Sequence, residues 1–415
     1  MRYRDNLPLV SANLLRIIYM VGSAVVLQLY LKELGASPFT IALLEVIFWA
    51  GMLLFAPLWG AVSDASGRRK LFLALSTGLA AIVLPVYAFT GTVSAVLGTR
   101  FLFAVVTVGF PPVALAAMSA AADETRRGRT LAPYHTSRAI GFLIGWGGIG
   151  IVLDAAGFQY TFYVLGAIAV ASFGVTLFIR GIDTPEPVTL REVWQKARQR
   201  WIPSRHDASL TESGLQYLFA GIFLRKVGFI GLFSLIAVYA VDTLGHSASL
   251  LGIVLALNPL TQLLFIDLFG TMADRHGRRR VLLAGFLASV PIPFMLIWAA
   301  NPYVFGAAYA LLGFGFAAIA QGSTAFIGDV APAGRQGELM GFRKSSQGLA
   351  GVVGPLLAGS LATVYSFTVM LAVMGVITSL GFLAVWLGAD ETLDEVEPHV
   401  SLRQDVYDTF SFLHR

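Results

Sequence analysis

The chain has 415 residues, of which 56% are hydrophobic and 13% charged, and its mean hydropathy is +0.74. This composition excludes an ordinary soluble protein and indicates an integral membrane protein. The net charge of +5 does not indicate nucleic-acid binding, because the basic residues lie in short segments between apolar stretches, and the absence of cysteine excludes disulfides and thiolate metal or redox sites.

Twelve apolar stretches are long enough to cross the membrane, which requires about 20 residues for a hydrocarbon core of about 30 Å. We expect each to be a helix, because backbone polar groups in lipid must be satisfied internally. The predicted spans are residues 7–30, 39–62, 71–90, 93–121, 131–153, 158–180, 214–241, 247–270, 281–300, 303–329, 345–364 and 366–388. We interpret the first stretch as an uncleaved span, since a signal peptide would have a shorter core and a cleavage site.

The basic residues predict the orientation of the chain. With the N-terminus in the cytoplasm, most arginines and lysines between spans fall in inner loops, whereas the outer loops hold only Lys32. This bias follows the positive-inside rule and predicts that both termini are cytoplasmic.

The longest interruption separates two groups of six spans. Within it, "LREVWQKARQRW" predicts an amphipathic helix on the inner leaflet, or alternatively a solvated linker. The predicted organisation is an N-terminal half (1–180), a cytoplasmic linker (181–213), a C-terminal half (214–388) and a cytoplasmic tail (389–415).

The two halves share sequence elements in the same order. The loop "GAVSDASGRRK" (Gly60–Lys70) recurs as "GTMADRHGRRR" (Gly270–Arg280), and "DETRRGR" (Asp123–Arg129) recurs as "DVAPAGR" (Asp329–Arg335). The chain therefore contains two copies of a six-span unit in the same orientation, an organisation that is typical of transporters.

Both loops resemble the signature G-x-x-x-D-x-x-G-R-[RK] of the major facilitator superfamily. The resemblance implies an all-α membrane protein of 12 transmembrane helices in two parallel six-helix halves with pseudo-two-fold symmetry. It further implies a monomeric secondary transporter of the plasma membrane that works by alternating access.

In this family, clusters of these charged residues are implied to latch the halves on the cytoplasmic side. The alternative is that the arginines only set topology, but topology alone does not explain the spacing of the glycines and the aspartate. The latch candidates are Gly60, Asp64, Gly67, Arg68, Asp123 and Arg129, and in the second half Gly270, Asp274, Gly277, Arg278, Asp329 and Arg335.

Ionisable residues inside spans are costly and usually face a cavity or a partner. Glu45 in span two and Arg100 in span four lie at a similar outer depth, so we expect them to be able to pair. Glu45 is the one clear acidic residue deep in a span, and it is either a proton carrier or a structural partner of Arg100.

The spans also carry an excess of positive charge, which favours an anionic or amphipathic substrate. By the family resemblance, the candidates to line the substrate cavity are Arg16, Gln28, Arg100, Arg225, Lys226, Asn258 and Gln321. The alternative for the basic residues is that they extend to the membrane interface.

The functional prediction is efflux of a small amphipathic or anionic organic solute, coupled to protons, with resemblance to the drug:proton antiporter-like group. That resemblance is partial, because span five has Gly141 and Gly145 but lacks the proline of the antiporter pattern. A lipid or lipid-linked flippase and uptake of an organic anion remain alternatives.

The expected partners are a small-molecule substrate, protons and membrane lipids, and not nucleic acid. Neither G-x4-G-K-[ST], HExxH nor G-x-S-x-G occurs in the chain. The sequence therefore predicts no enzyme activity, no cofactor and no metal.

Overall fold

The fold is all-helical in the part of the chain that can be described. The computed structural model describes residues 7–120, 127–183, 214–331 and 336–393, together with residues 189, 193, 194, 197 and 198. The latch candidates Asp123 and Arg335, the side chain of Arg129, most of the predicted linker helix and most of the tail lie outside the described residues.

Fourteen helices can be delimited in the described ranges. They are α1 (Leu7–Glu33), α2 (Pro38–Ser66), α3 (Arg69–Val86), α4 (Val93–Thr107), α5 (Phe110–Ala120), α6 (Arg127–Thr176), α7 (Leu215–Phe233), α8 (Ile236–Val238), α9 (Ala248–His276), α10 (Arg278–Ser289), α11 (Pro291–Ile297), α12 (Pro302–Val330), α13 (Gln336–Val364) and α14 (Phe367–Gly388). A 3-10 turn, Tyr87–Phe89, extends α3, and a π turn, Tyr239–Thr243, extends α8.

Eleven helical stretches in the described residues are long and apolar enough to cross a membrane. One of them, Leu131–Thr176 within α6, has 46 residues, about twice what one crossing needs. The helix is interrupted at Gly157, whose φ of 74° and ψ of 178° are not helical. Gly157 thus separates predicted spans five and six, and the count of twelve spans is confirmed.

Predicted span seven, residues 214–241, is wrong as one continuous helix. Helix α7 ends at Phe233, and Leu235 has a φ of −132° before α8 begins. The break frees backbone donors, and the Ala237 N–H donates to Gln28 Oε1 at 3.1 Å. A polar side chain on another helix thus satisfies backbone that lipid could not satisfy.

Predicted span nine, residues 281–300, has different limits in the structure. Helix α10 begins at Arg278, and α11 starts with Pro291 and ends at Ile297. Proline lacks the N–H that a continuous helix would use, so it is favoured at the start of the new helix.

The described helices divide into two compact units. Unit 1 comprises Met1–Ser204 with Ser234–Ala256, and unit 2 comprises Arg205–Phe233 with Leu257–Arg415. The boundaries predicted from the sequence at 180, 214 and 388 stay a prediction.

Glycines permit the close helix packing inside each unit. In unit 1, a Cβ on Gly141 of α6 would lie 2.7 Å from the Cβ of Ile17 on α1. In unit 2, a Cβ on Gly231 of α7 would lie 2.7 Å from the carbonyl oxygen of Gly354 on α13. The glycine-rich runs in spans five and eleven therefore serve the same purpose in both halves.

Residues 234–256 are held in unit 1 by polar contacts as well as by packing. Lys32 Nζ lies 2.9 Å from Asp242 Oδ2. The Ser249 N–H donates to Asp154 Oδ2 at 2.7 Å, so a carboxylate sits at the first turn of α9, where the helix dipole favours negative charge.

Candidate functional site

Glu45 and Arg100 form the ion pair predicted from their similar depth in spans two and four. Arg100 Nη2 lies 3.5 Å from Glu45 Oε1, and the exposed fractions of the two side chains are 2% and 15%. Trp49 Nε1–H donates to Glu45 Oε2 at 3.2 Å. The close approach of the helices is aided by Gly51 of α2, where a Cβ would lie 2.9 Å from the Cβ of Ala104 on α4.

Arg100 has other support besides Glu45. Its Nε–H donates to the carbonyl oxygen of Leu44 at 3.1 Å, and its guanidinium lies 5.0 Å and 5.7 Å from the ring centroids of Phe48 and Phe103. These contacts stabilise the cation by a hydrogen bond and by the ring quadrupoles. The arginine therefore stays partly compensated when Glu45 is neutral.

Arg16 and Arg225 are both buried, with 3% of each exposed. Arg16 lies over the Phe110 ring at 5.1 Å, and Arg225 over the Phe229 ring at 4.8 Å. The Arg225 Nε–H also donates to Ser289 Oγ at 2.8 Å. Both heads are enclosed by protein, so the alternative that they extend to the membrane interface is wrong.

Lys226 is half-buried, with its Nζ 5.1 Å from the Phe316 ring centroid. Gln321 Nε2–H donates to the carbonyl oxygen of Ile266 at 3.1 Å, and Gln262 donates to the side chain of Asn258. These candidates occupy unit 2, and their exposure to substrate stays a prediction.

The glycines of the signature loops have a backbone role. Gly67, which follows α2, has a φ of 62°, and its N–H donates to the Ser63 carbonyl oxygen at 3.0 Å. Gly277, which follows α9, has a φ of 105°. Residues with a Cβ rarely adopt such angles, so the spacing of the motif reflects a turn as well as a charge cluster.

The second signature loop contains a complete ion cluster. Arg278 Nε–H donates to Asp329 Oδ2 at 3.0 Å, and Arg278 Nη2 lies 3.4 Å from Asp274 Oδ1. The Thr392 hydroxyl also donates to Asp329 Oδ2 at 2.8 Å. The predicted grouping of Asp274, Arg278 and Asp329 is therefore present inside unit 2.

The first loop contains the equivalent Asp64 and Arg68, which lie at and just beyond the end of α2. The side chain of Arg68 is exposed, and its backbone N–H donates to Ser66 Oγ at 3.4 Å. Its proposed partner Asp123 lies outside the described residues.

Sequence reasoning missed two carboxylates that bind the same loops. Asp183 Oδ1 accepts from the N–H of Lys70 at 2.8 Å, and Glu391 Oε1 accepts from the N–H of Arg278 at 2.7 Å. Each carboxylate follows the last span of its half and caps the helix after the signature glycine. The two carboxylates are not related by the 210-residue offset of the signature loops, so the sequence repeat gave no signal for them.

The cap made by Glu391 also explains why the second glycine of the signature motif, Gly277, has no side chain. A Cβ on Gly277 would collide with the Glu391 carboxylate. Within the described residues, no group of three or more His, Asp or Glu side chains is arranged to hold a metal ion.

Comparison with known proteins identifies the family. A sequence profile of the Major Facilitator Superfamily matches residues 10–248 and 218–407. The chain is similar to the uncharacterized MFS-type transporter YuxJ of Bacillus subtilis, with 27% identity over 80% of this chain and 84% of the relative. It is also similar to the multidrug resistance protein MdtG of Proteus mirabilis (26% identity; 87% and 90% covered) and to the multi-drug resistance efflux pump PmrA of Streptococcus pneumoniae (24%; 84% and 88%).

Solved structures share the fold. A mutant of the nucleoside transporter NupG matches with a TM-score of 0.75 and 13% identity over 93% of this chain and 100% of the other. The human organic anion transporter MFSD10 matches with a TM-score of 0.64 and 17% identity, again over 93% and 100%. The chain therefore belongs to the Major Facilitator Superfamily, and it is a multi-pass plasma-membrane transporter of small molecules and not an enzyme.

Proposed function

We propose that the protein exports amphipathic organic solutes, anions among them, in exchange for protons, and that Glu45 carries the proton. The observation that carries this proposal is the environment of Glu45, a carboxylate inside a membrane-spanning helix. Its side chain is 15% exposed and contacts Trp49 and Arg100. Two relatives support the direction and the substrate class: PmrA is named as a multi-drug resistance efflux pump and MdtG as a multidrug resistance protein.

The geometry of the ion pair suits reversible protonation. The 3.5 Å separation between Arg100 Nη2 and Glu45 Oε1 is longer than the 2.7–2.9 Å of a strong charge-assisted hydrogen bond. Protonation of Glu45 therefore disrupts little, because Leu44 and the aromatic rings of Phe48 and Phe103 still hold Arg100. A neutral Glu45 thus does not leave Arg100 as a buried cation without any partner.

The test is a pH measurement inside proteoliposomes after addition of amphipathic anions and cations. We expect substrate-driven proton movement in wild type, its loss in Glu45→Gln, and its retention in the matched control Glu33→Gln, whose carboxylate is exposed at the end of α1. Proton movement that survives Glu45→Gln would make Glu45 a structural partner of Arg100. Lipid flipping without proton movement for any compound would favour the flippase alternative, and proton-driven accumulation from outside would favour uptake.

We further propose that the cluster of Asp274, Arg278 and Asp329, and its counterpart at Asp64 and Arg68, acts as a conformational latch. The cluster joins the ends of α9, α10 and α12 to the segment after α14, so breaking it releases several helix ends together. Such a bistable element is what alternating access requires.

The latch predicts a transport defect without an insertion defect. We expect Arg278→Gln to lower the initial rate of transport about 10-fold or more, since two carboxylates lose their shared cation, while membrane expression is unchanged. Arg280→Gln is the matched control, because Arg280 is basic and exposed in the same loop. Asp64→Asn should show the same defect as Arg278→Gln. Equal transport rates in Arg278→Gln and Arg280→Gln would show that these arginines only set topology.

A further inference from the structure

Two arginines of unit 1, on neighbouring helices, lie close together without a carboxylate. Arg16 of α1 is 3% exposed, and Arg138 of α6 is half-buried. The Tyr134 hydroxyl hydrogen-bonds with Arg16 and interacts electrostatically with Arg138. Among the described residues, no carboxylate oxygen is within 4.0 Å of either arginine.

Close helix packing brings the two arginines together. A Cβ on Gly141, one turn beyond Arg138, would lie 2.7 Å from the Cβ of Ile17, the residue that follows Arg16. On the other side of Arg16, Asn13 Nδ2–H donates to Ser137 Oγ at 2.9 Å and to the carbonyl oxygen of Tyr134 at 3.3 Å. These contacts fix α1 and α6 on both sides of the arginine pair.

Part of the hydrogen-bonding capacity at this site is unused. Arg16 Nη1 donates to the thioether of Met20 at 3.4 Å, and Arg16 Nε is buried without a partner among the described residues. Asn13 Oδ1 is likewise buried without a partner there. A buried, unpaired guanidinium donor is expensive, and a second positive charge nearby raises the cost further.

Aromatic side chains adjoin the arginine pair. The Phe110 ring centroid lies 5.1 Å from the Arg16 guanidinium, and the Phe142 ring centroid lies 5.4 Å from that of Arg138. Phe142 in turn packs edge-to-face against Trp146, with ring centroids 4.8 Å apart. The site thus combines two planar cations with an apolar wall.

We infer that Arg16 and Arg138 form a binding site for the anionic group of an amphipathic substrate, a carboxylate, sulfonate or phosphate monoester on an apolar body. The unused Arg16 Nε and the Arg138 guanidinium donate to the anion, the Tyr134 hydroxyl adds a third polar contact, and Phe142 and Trp146 contact the apolar body. Planar guanidinium groups match such anions by paired hydrogen bonds, which an ammonium does not reproduce. This inference rests on the proposed function for its substrate class and adds the anion-binding residues.

The test is ligand-dependent thermal unfolding of the purified full-length protein, followed by circular dichroism. The probes are naphthalene-2-sulfonate and its uncharged counterpart naphthalene-2-sulfonamide, which share one apolar body. A ligand that binds the folded state raises the unfolding temperature as its concentration passes the dissociation constant. We expect wild type to bind the sulfonate more tightly than the sulfonamide.

The variants then assign the anion to the arginines. Arg16→Gln and Arg138→Gln should each weaken sulfonate binding about 10- to 100-fold, the effect of losing hydrogen bonds to a charged group, and leave sulfonamide binding within about 2-fold. Arg16→Lys and Arg138→Lys should recover only part of the loss. Arg180→Gln, which removes an exposed arginine at the end of span six, should bind like wild type. The unfolding temperature without ligand reports whether each variant is folded.

Two results would overturn the inference: no preference of wild type for the sulfonate, or equal weakening of both ligands in the glutamine variants. Transport is measured separately in proteoliposomes with the same two probes. Arginine-dependent sulfonate binding without transport of either probe would support the anion site and contradict the proposed function. Transport of both probes with no effect of the arginine variants would support export and contradict the anion site.

Discussion

Arg100 and Arg225 are both arginines inside spans and are almost fully buried, at 2% and 3% exposure, but their surroundings differ. Arg100 contacts a carboxylate, a backbone carbonyl and two aromatic rings, whereas Arg225 contacts one hydroxyl and one ring. Each keeps one buried Nη without a partner among the described residues. Burial alone therefore does not distinguish the two arginines, and what sets Arg100 apart is its carboxylate partner Glu45, for which we propose the coupling role.

The largest effect on the free energy of unfolding should come from removing the cation of the Glu45–Arg100 pair. Arg100→Met leaves Glu45 without its cation, and we expect it to lower the free energy of unfolding by about 2–3 kcal/mol, less than for a fully enclosed pair because Glu45 is 15% exposed. Unfolding in sodium dodecyl sulfate measures this change. The double variant Arg100→Met/Glu45→Gln should regain part of the loss, and equal stability of the single and double variants would contradict a coupled pair.

A smaller effect should come from Ser289, the one side chain of the described residues that accepts a hydrogen bond from Arg225. Ser289→Ala should cost about 1–2 kcal/mol, because it leaves a buried charged donor unsatisfied. Ser379→Ala is a close control: both hydroxyls donate at 2.8 Å to a carbonyl four residues earlier, and among the described residues no arginine donates a hydrogen bond to Ser379. Equal losses in the two variants, in the same unfolding assay, would show that the bond to Arg225 contributes nothing.

The smallest effect on stability should come from Arg225→Met. A buried cation without a carboxylate partner gives little net stabilisation, so we expect the free energy of unfolding to stay the same or rise by about 1 kcal/mol. A loss larger than that of Arg100→Met would reverse the comparison between the two arginines.

The spans were predictable because a single local property determines them. Apolar length predicted the limits of most spans to within a few residues of the helices in the structure. The predicted gap between spans five and six, residues 154–157, contains Gly157, where the helix is interrupted. The break after Phe233 was not predictable, because residues 234–241 are apolar and the donor that stabilises the break, Gln28, lies 209 residues from Ala237.

The candidate site was only partly predictable for the same reason. Glu45 and Arg100 are conspicuous as charges inside spans, so their pairing could be anticipated from depth alone. Arg138, Asp183 and Glu391 act through partners that are distant in the sequence, and nothing in their local sequence separates them from ordinary residues at helix ends. The repeat does not identify the two carboxylates either, because Asp183 and Glu391 do not match at the 210-residue offset of the signature loops.

The most direct test of the central claim separates substrate movement from proton coupling in one variant. Proteoliposomes containing Glu45→Gln are assayed for exchange of labelled against unlabelled substrate at equal pH, and for accumulation driven by a pH gradient. If Glu45 carries the proton, exchange persists near the wild-type rate and gradient-driven accumulation is lost. Accumulation at the wild-type level, or loss of both activities, would contradict the claim.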